Sequence, residues 1–187
     1  MTKIGIITGS TRDARVNLQV AHYILENAEK MGGADFEIVD IKDYDLPLLN
    51  ETVPAAMADR NYTTDDVKRW STKIDSLDGF IFVTPEYNKN ITPSLKNALD
   101  YLSPEWSNKA AGIVAYGSTL GVGATMILRM TLSDFNLATV GPFGAFSLFT
   151  DFKDMSTFAP SKVHLPTIKA VIETTVAWST ALKTVRN

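Results

Sequence analysis

Apolar and polar residues alternate along this chain in two rhythms, one of strands and one of helices. Lys3 to Thr8 (KIGIIT), Phe80 to Val83 (FIFV) and Ala110 to Tyr116 (AAGIVAY) are short apolar runs of the kind a strand buried on both faces of a sheet requires. Phe36 to Ile41 has instead the amphiphilic alternation of an edge strand, and a fifth strand falls within Ala138 to Phe149, its start blurred by Pro142 and Gly144. Helical spacing fills the intervals. Val16, Val20, Ala21, Ile24, Leu25, Ala28 and Met31 make one stripe, closed by Gly32-Gly33. Val67, Trp70, Ile74 and Leu77 make a second behind a Thr63 or Thr64 cap, with Asp65 and Asp66 at its positive end, and Trp70 reads as core. Thr92 as cap and Pro93 as first helical residue open a third, carrying Leu95, Ala98, Leu99 and Leu102. Ala124 to Phe135 and Pro166 to about Val185 complete the helices, and Lys42 to Thr64 is a long loop with one helical turn near Ala55 to Ala58.

The order βαβαβαβαβα predicts an α/β fold, a doubly wound five-stranded parallel sheet with right-handed crossovers. Five strands suit the flavodoxin-like order 2-1-3-4-5, and 187 residues suit one domain over 1–187. Ligands in such sheets bind beyond the carboxyl ends of the strands, at the switch point between strands one and three. The loops Ser10 to Asn17, Pro85 to Asn88 and Gly117 to Gly123 are therefore expected to meet at one edge.

Their chemistry differs. The first offers hydroxyls, backbone N–H groups and two guanidiniums, Arg12 and Arg15, at the start of a helix, which suits a phosphate dianion. It lacks both GxGxxG and the P-loop ending, so taken alone it is equally an ordinary polar connection that caps the helix. The second carries Glu86, Tyr87 and Asn88. The third has glycines at 117, 121 and 123, which allow close backbone approach or a strained turn. A phosphate tail, a flat ring and its polar edge would match the three, and that describes FMN.

Composition narrows the field. A formal net charge of −3 gives no overall basic field for nucleic acid, and no apolar stretch reaches the length of a membrane span. Zero cysteines exclude disulfides, thiolate metal sites and cysteine catalysis, and with no secretion signal in view a cytoplasmic protein is expected. Asp43, Asp45 and Asp65-Asp66 have no metal-ligand spacing, and no metal site is expected. His22 and His164 show no catalytic partner and read as structural or solvent-facing, while Lys96 and Asp100 read as a surface pair.

Gly9-Ser10-Thr11-Arg12 with Asn17, and Thr84-Pro85-Glu86-Tyr87-Asn88 followed by Pro93 and Leu95-Lys96-Asn97-Ala98-Leu99-Asp100-Tyr101, resemble the NADPH-dependent FMN reductase family from Lys3 to about Phe149. The resemblance implies a homodimer or homotetramer holding FMN, which takes hydride from NADPH or NADH and passes electrons to a small-molecule acceptor: quinones, azo dyes, flavins or metal oxyanions. It places Ser10, Arg12 and Asn17 at the phosphate, Pro85, Glu86, Tyr87 and Asn88 along the isoalloxazine, and Gly117 and Ser118 near the ring's far side. No side chain need act as a nucleophile, because the chemistry lies on the cofactor. Ser94, where the family often has glycine, and the unpaired glycines of the third loop depart from the pattern. A slow FMN-containing redox sensor or electron-transfer protein is the alternative. A phosphorelay receiver is disfavoured because Ile7-Thr8-Gly9 replaces the acidic cluster it needs.

Overall fold

Five parallel strands form the spine of the protein in a computed structural model that describes residues 1–186. They are β1 (Lys3–Thr8), β2 (Asp35–Asp40), β3 (Gly79–Pro85), β4 (Ala110–Gly117) and β5 (Ala138–Ser147), in the order β2-β1-β3-β4-β5. The expected order is present, and β1 is hydrogen-bonded to β2 on one side and β3 on the other. Every residue of β3 and β4 is buried, whereas β2 at the edge is mostly half-buried.

Side-chain alternation along the strands feeds two apolar layers. Ile4, Ile6, Ile81, Val83 and Val114 pack on α1 (Asn17–Met31) and α5 (Leu165–Leu182) through Val20, Ile24, Ile168 and Val171. Ile7, Phe80, Phe82 and Ile113 pack towards α2 (Asp65–Asp75), α3 (Pro93–Asp100) and α4 (Val122–Asp134) through Trp70, Leu95 and Leu128, with Trp106 added from the segment after α3. Trp70 is fully buried, as its helical position predicts, and donates its indole N–H to Ala98 O at 2.8 Å. Trp106 lies edge-on to it and donates to Leu99 O at 3.2 Å, so both indoles satisfy carbonyls at the end of the short α3.

Capping follows the sequence. Thr64, not Thr63, accepts from Val67 N, and Thr92 accepts from Leu95 N at 3.0 Å with Pro93 opening α3. Differences arise where tertiary contacts decide. β5 runs through Pro142 by means of a register shift against Ala111 and Ile113, and Arg129 donates to Val140 O and Gly141 O. After Leu182 the last helix tightens into a 3₁₀ turn, Lys183–Val185. A small hairpin, β6 (Phe152–Lys153) and β7 (Thr157–Phe158), follows β5 and is absent from the sequence expectation. Among the described residues no helix is long and apolar enough to cross a membrane, and no group of three or more metal-ligating side chains comes together.

The amino-terminal edge of the sheet is tied by charge. Asp78 accepts from Lys3 N at 2.8 Å and pairs with Lys183 at 2.7 Å and Arg186 at 2.8 Å. Lys109 is buried there, donating to Ile74 O and Asp75 O at the end of α2, and burial pulls its pKa down to about 8.

Truncating the buried indole should expose the weight of the central aromatic contact. Trp106→Ala is expected to lose about 3–5 kcal/mol of unfolding free energy in urea titrations, whereas Trp178→Ala, on the half-exposed side of α5, should lose less than about 1 kcal/mol.

Candidate functional site

The carboxyl ends of β1, β3 and β4 carry the three predicted loops to one edge. At the first, Gly9 N donates to Val83 O at 2.7 Å, and the Thr92 hydroxyl donates to Gly9 O while capping α3. A side chain at residue 9 would meet Thr84 Oγ1 at 2.9 Å and Val83 O at 3.0 Å, so this crossing of β1 over β3 requires glycine.

Beyond it the two guanidiniums divide their work. Arg15 turns back on β2, with Nη1 and Nη2 donating to the two Asp40 oxygens at 2.8 and 2.5 Å and Nη1 to Ser10 O at 2.6 Å. It thereby shapes the loop, and its charge is already matched. Of the two guanidiniums, both of which line the cavity between these loops, Arg15 is thus already paired, because Asp40 lies at the end of the neighbouring strand. Arg12 is exposed, and Nη1 reaches the Tyr87 hydroxyl at 3.4 Å, bridging the first and second loops.

At the second loop, Glu86 N extends the ladder to Tyr116 O at 2.8 Å, and reciprocal hydrogen bonds between Tyr87 and Asn90 close a turn with Asn88 and Lys89 left-handed. The Glu86 side chain, 5% exposed, reaches the third loop and lies 3.7 Å from the Lys89 ammonium. Its carboxylate accepts from Thr119 Oγ1 at 2.6 Å and Ala124 N at 3.1 Å. It thus caps α4, whose own N-cap residue, Gly121, has no side chain to do so. Burial by itself raises the Glu86 pKa, but the bonds from Thr119 and the amides of Ala124 and Gly123, with the charge of Lys89, outweigh it and hold the carboxyl below its usual value.

Ser10, Arg12, Pro85, Glu86, Tyr87 and Gly117 line one cavity of about 210 Å³. Three other predicted residues do not. Asn17 is fully buried as the first residue of α1, and its Nδ2 donates to Val83 O at 2.9 Å. Its Oδ1 has no partner among the described residues. Asn88 and Ser118 are exposed on their turns outside the lining. The structure adds Val16, Tyr116, Leu148 and Met155 as an apolar wall. Tyr116 ends the Ala110 to Tyr116 run, which the sequence marks only as a strand; burial pushes its phenol pKa up. His22 is exposed, and His164 has a structural place, pairing at 2.8 Å with Asp151, a partner the sequence does not reveal.

An aromatic hydroxyl and a cation at one lip, a hydroxyl-bearing loop beside a helix start, and an apolar wall suit a ligand with an anionic end and a flat, largely apolar body. The family model for NADPH-dependent FMN reductases matches residues 2–151. The chain is 39% identical over 136 residues to the NAD(P)H-dependent FMN reductase ntnL of Nectria sp, covering 71% of this chain and 68% of that protein. It is 33% identical over 162 residues to a quinone reductase of Pseudomonas putida, covering 79% of this chain and 81% of that one. FerB of Paracoccus denitrificans, a flavoenzyme NAD(P)H:(acceptor) oxidoreductase, shares the fold with a TM-score of 0.75 at 19% identity, covering 97% and 98% of the two chains.

The Glu86 contact should show in acid. Its folded pKa lies below the unfolded one, near 4.5, so the unfolded chain takes up the proton first and stability rises with pH across that window. Glu86→Gln is expected to cost about 1–3 kcal/mol at neutral pH. That difference from the parent should shrink as the pH falls through the folded value, read by denaturant titration at a series of pH values.

Proposed function

This chain belongs to the NADPH-dependent FMN reductase family, and we propose that it holds FMN in the cavity between its three loops and reduces small quinone-type acceptors at the expense of NAD(P)H. The observation that carries the reading is the meeting of Ser10 and Arg12, Pro85 to Tyr87 and Gly117 around one cavity at the β1/β3 switch point. The residues present fit the group by the chemistry of their donors. Arg12 and Ser10 would hold the phosphate, with the start of α1 behind them. Pro85 to Tyr87, Gly117, Tyr116 and Leu148 would hold the ring. Asn17 supports the site from below through Val83, and Asn88 and Ser118 shape its rim.

FMN, when bound, supplies the two-electron chemistry. The protein's part is to bind and orient. Glu86, held ionised by its bonds to the third loop, fixes Thr119 and the start of α4 and is not a proton donor at neutral pH. Lys89 donates to Thr119 Oγ1 at 3.0 Å and reinforces the same clasp. The donor and the acceptor would use one open face of the site in turn, which makes the kinetics ping-pong. Quinones, azo compounds, free flavins and metal oxyanions are the acceptor classes such a face admits.

The chain would act as one FMN-binding unit in a cytoplasmic homo-oligomer. Val122, Met126 and Met130, four residues apart along α4, are 40%, 49% and 65% exposed and form an apolar stripe that a second copy would cover.

Two measurements test the reading. Titration with FMN, followed by quenching of flavin fluorescence, should give tight binding that Arg12→Ala weakens by about an order of magnitude or more; unchanged affinity would remove Arg12 from the site. Steady-state double-reciprocal plots of NADPH against a quinone should run parallel, and intersecting lines would refute the shared face.

A further inference from the structure

The family match ends at residue 151, and just beyond it the β6–β7 hairpin brings Met155 to the cavity. Ser156 N donates to Lys153 O at 3.1 Å, closing a turn in which Asp154 (φ 50) and Met155 (φ 52) are both left-handed. With Lys153 paired to Thr157 the hairpin loop has three residues, and its two successive positive-φ positions are ones that glycine adopts without strain. Methionine there strains the backbone, and its side chain is 60% exposed. Glycine would avoid both costs, so folding does not explain the residue.

The turn is held in place from two sides. Gln19, in the first turn of α1, donates to Ser156 O at 2.9 Å and accepts from Phe158 N at 2.8 Å. At the base, Asp151 accepts from Ser147 N at 2.8 Å and pairs with His164, while the tilted rings of Phe152 and Phe158 lie 4.9 Å apart. The tip therefore stands beside the start of α1, where Ala14 and Val16 line the same cavity.

We propose that Met155 is a specificity-determining residue: it roofs the end of the cavity next to the Ser10 to Val16 loop and limits the ligand to a mononucleotide. The inference rests on the FMN reading and deepens it. A terminal phosphate stops at that end, whereas the phosphate of FAD continues into an adenylate that must leave past the hairpin tip. Met155 occupies that way out.

The test compares dissociation constants of FMN and FAD, by quenching of flavin fluorescence, for the parent, Met155→Gly and Gln19→Ala. The parent should prefer FMN, and Met155→Gly should narrow the FMN-to-FAD ratio by about tenfold or more. Its melting temperature should not fall, because glycine suits the turn. Gln19→Ala, which only loosens the tip, should narrow the ratio less. An unchanged ratio in Met155→Gly, or equal binding of both flavins by the parent, overturns the inference while leaving the FMN reading intact. A parent that binds neither flavin overturns both.

Discussion

The site depends on one carbonyl. Val83 O, at the end of β3, accepts from Gly9 N at 2.7 Å and from Asn17 Nδ2 at 2.9 Å. Both donors flank the first loop, one leaving β1 and the other opening α1. A single acceptor on the neighbouring strand thus fixes the two ends of an eight-residue excursion and sets how far it stands from the β3 end. Buried backbone acceptors of this kind are costly to leave empty. Removing either donor would therefore disturb both loops together. The parallel pairing of β1 with β3 is what brings the carbonyl within reach.

Charge is distributed around that tie so that most of it is consumed by structure. Arg15 is spent on Asp40, with both side chains only about a tenth exposed, and Glu86 on the start of α4. Arg12 is left as the exposed cation of the cavity. A buried pair such as Arg15 and Asp40 contributes little net stability, because desolvation opposes the Coulomb attraction. Its effect is conformational. By drawing Ser10 O to the guanidinium it decides the path of the loop, and so where Arg12 stands.

Much of this was legible in the sequence, and the failures share a cause. Apolar runs and helical stripes predict the five strands, their order and the caps at Thr64 and Thr92, because burial and capping are local consequences of residue type. Six of the nine predicted site residues line the cavity because the loop motifs and the sheet order both point there. What the sequence does not disclose is set by distant partners. The direction of the Glu86 side chain depends on an amide 38 residues later, and the occupation of Arg15 on an aspartate 25 residues later. The hairpin that carries Met155 has strands of two residues, too short for periodicity, and its turn reads Asp-Met where a hairpin signal would read Asn-Gly or Asp-Gly.

The two edges of the sheet are held by different means. The amino-terminal edge is cross-linked by Asp78 to Lys3, Lys183 and Arg186, and Lys109 secures the end of α2. At the carboxyl edge three of the turns around the cavity contain a consecutive left-handed pair: Asn88 with Lys89, Leu120 with Gly121, and Asp154 with Met155. Only one of those six residues is glycine. Left-handed backbone at side-chain-bearing residues costs stability and persists where surrounding contacts hold it. Here those contacts are the Tyr87–Asn90 bridge, the Glu86–Thr119 clasp and the Gln19 anchor. Each braces one turn. The rim is therefore shaped before any ligand arrives, and binding need not supply the ordering of three loops.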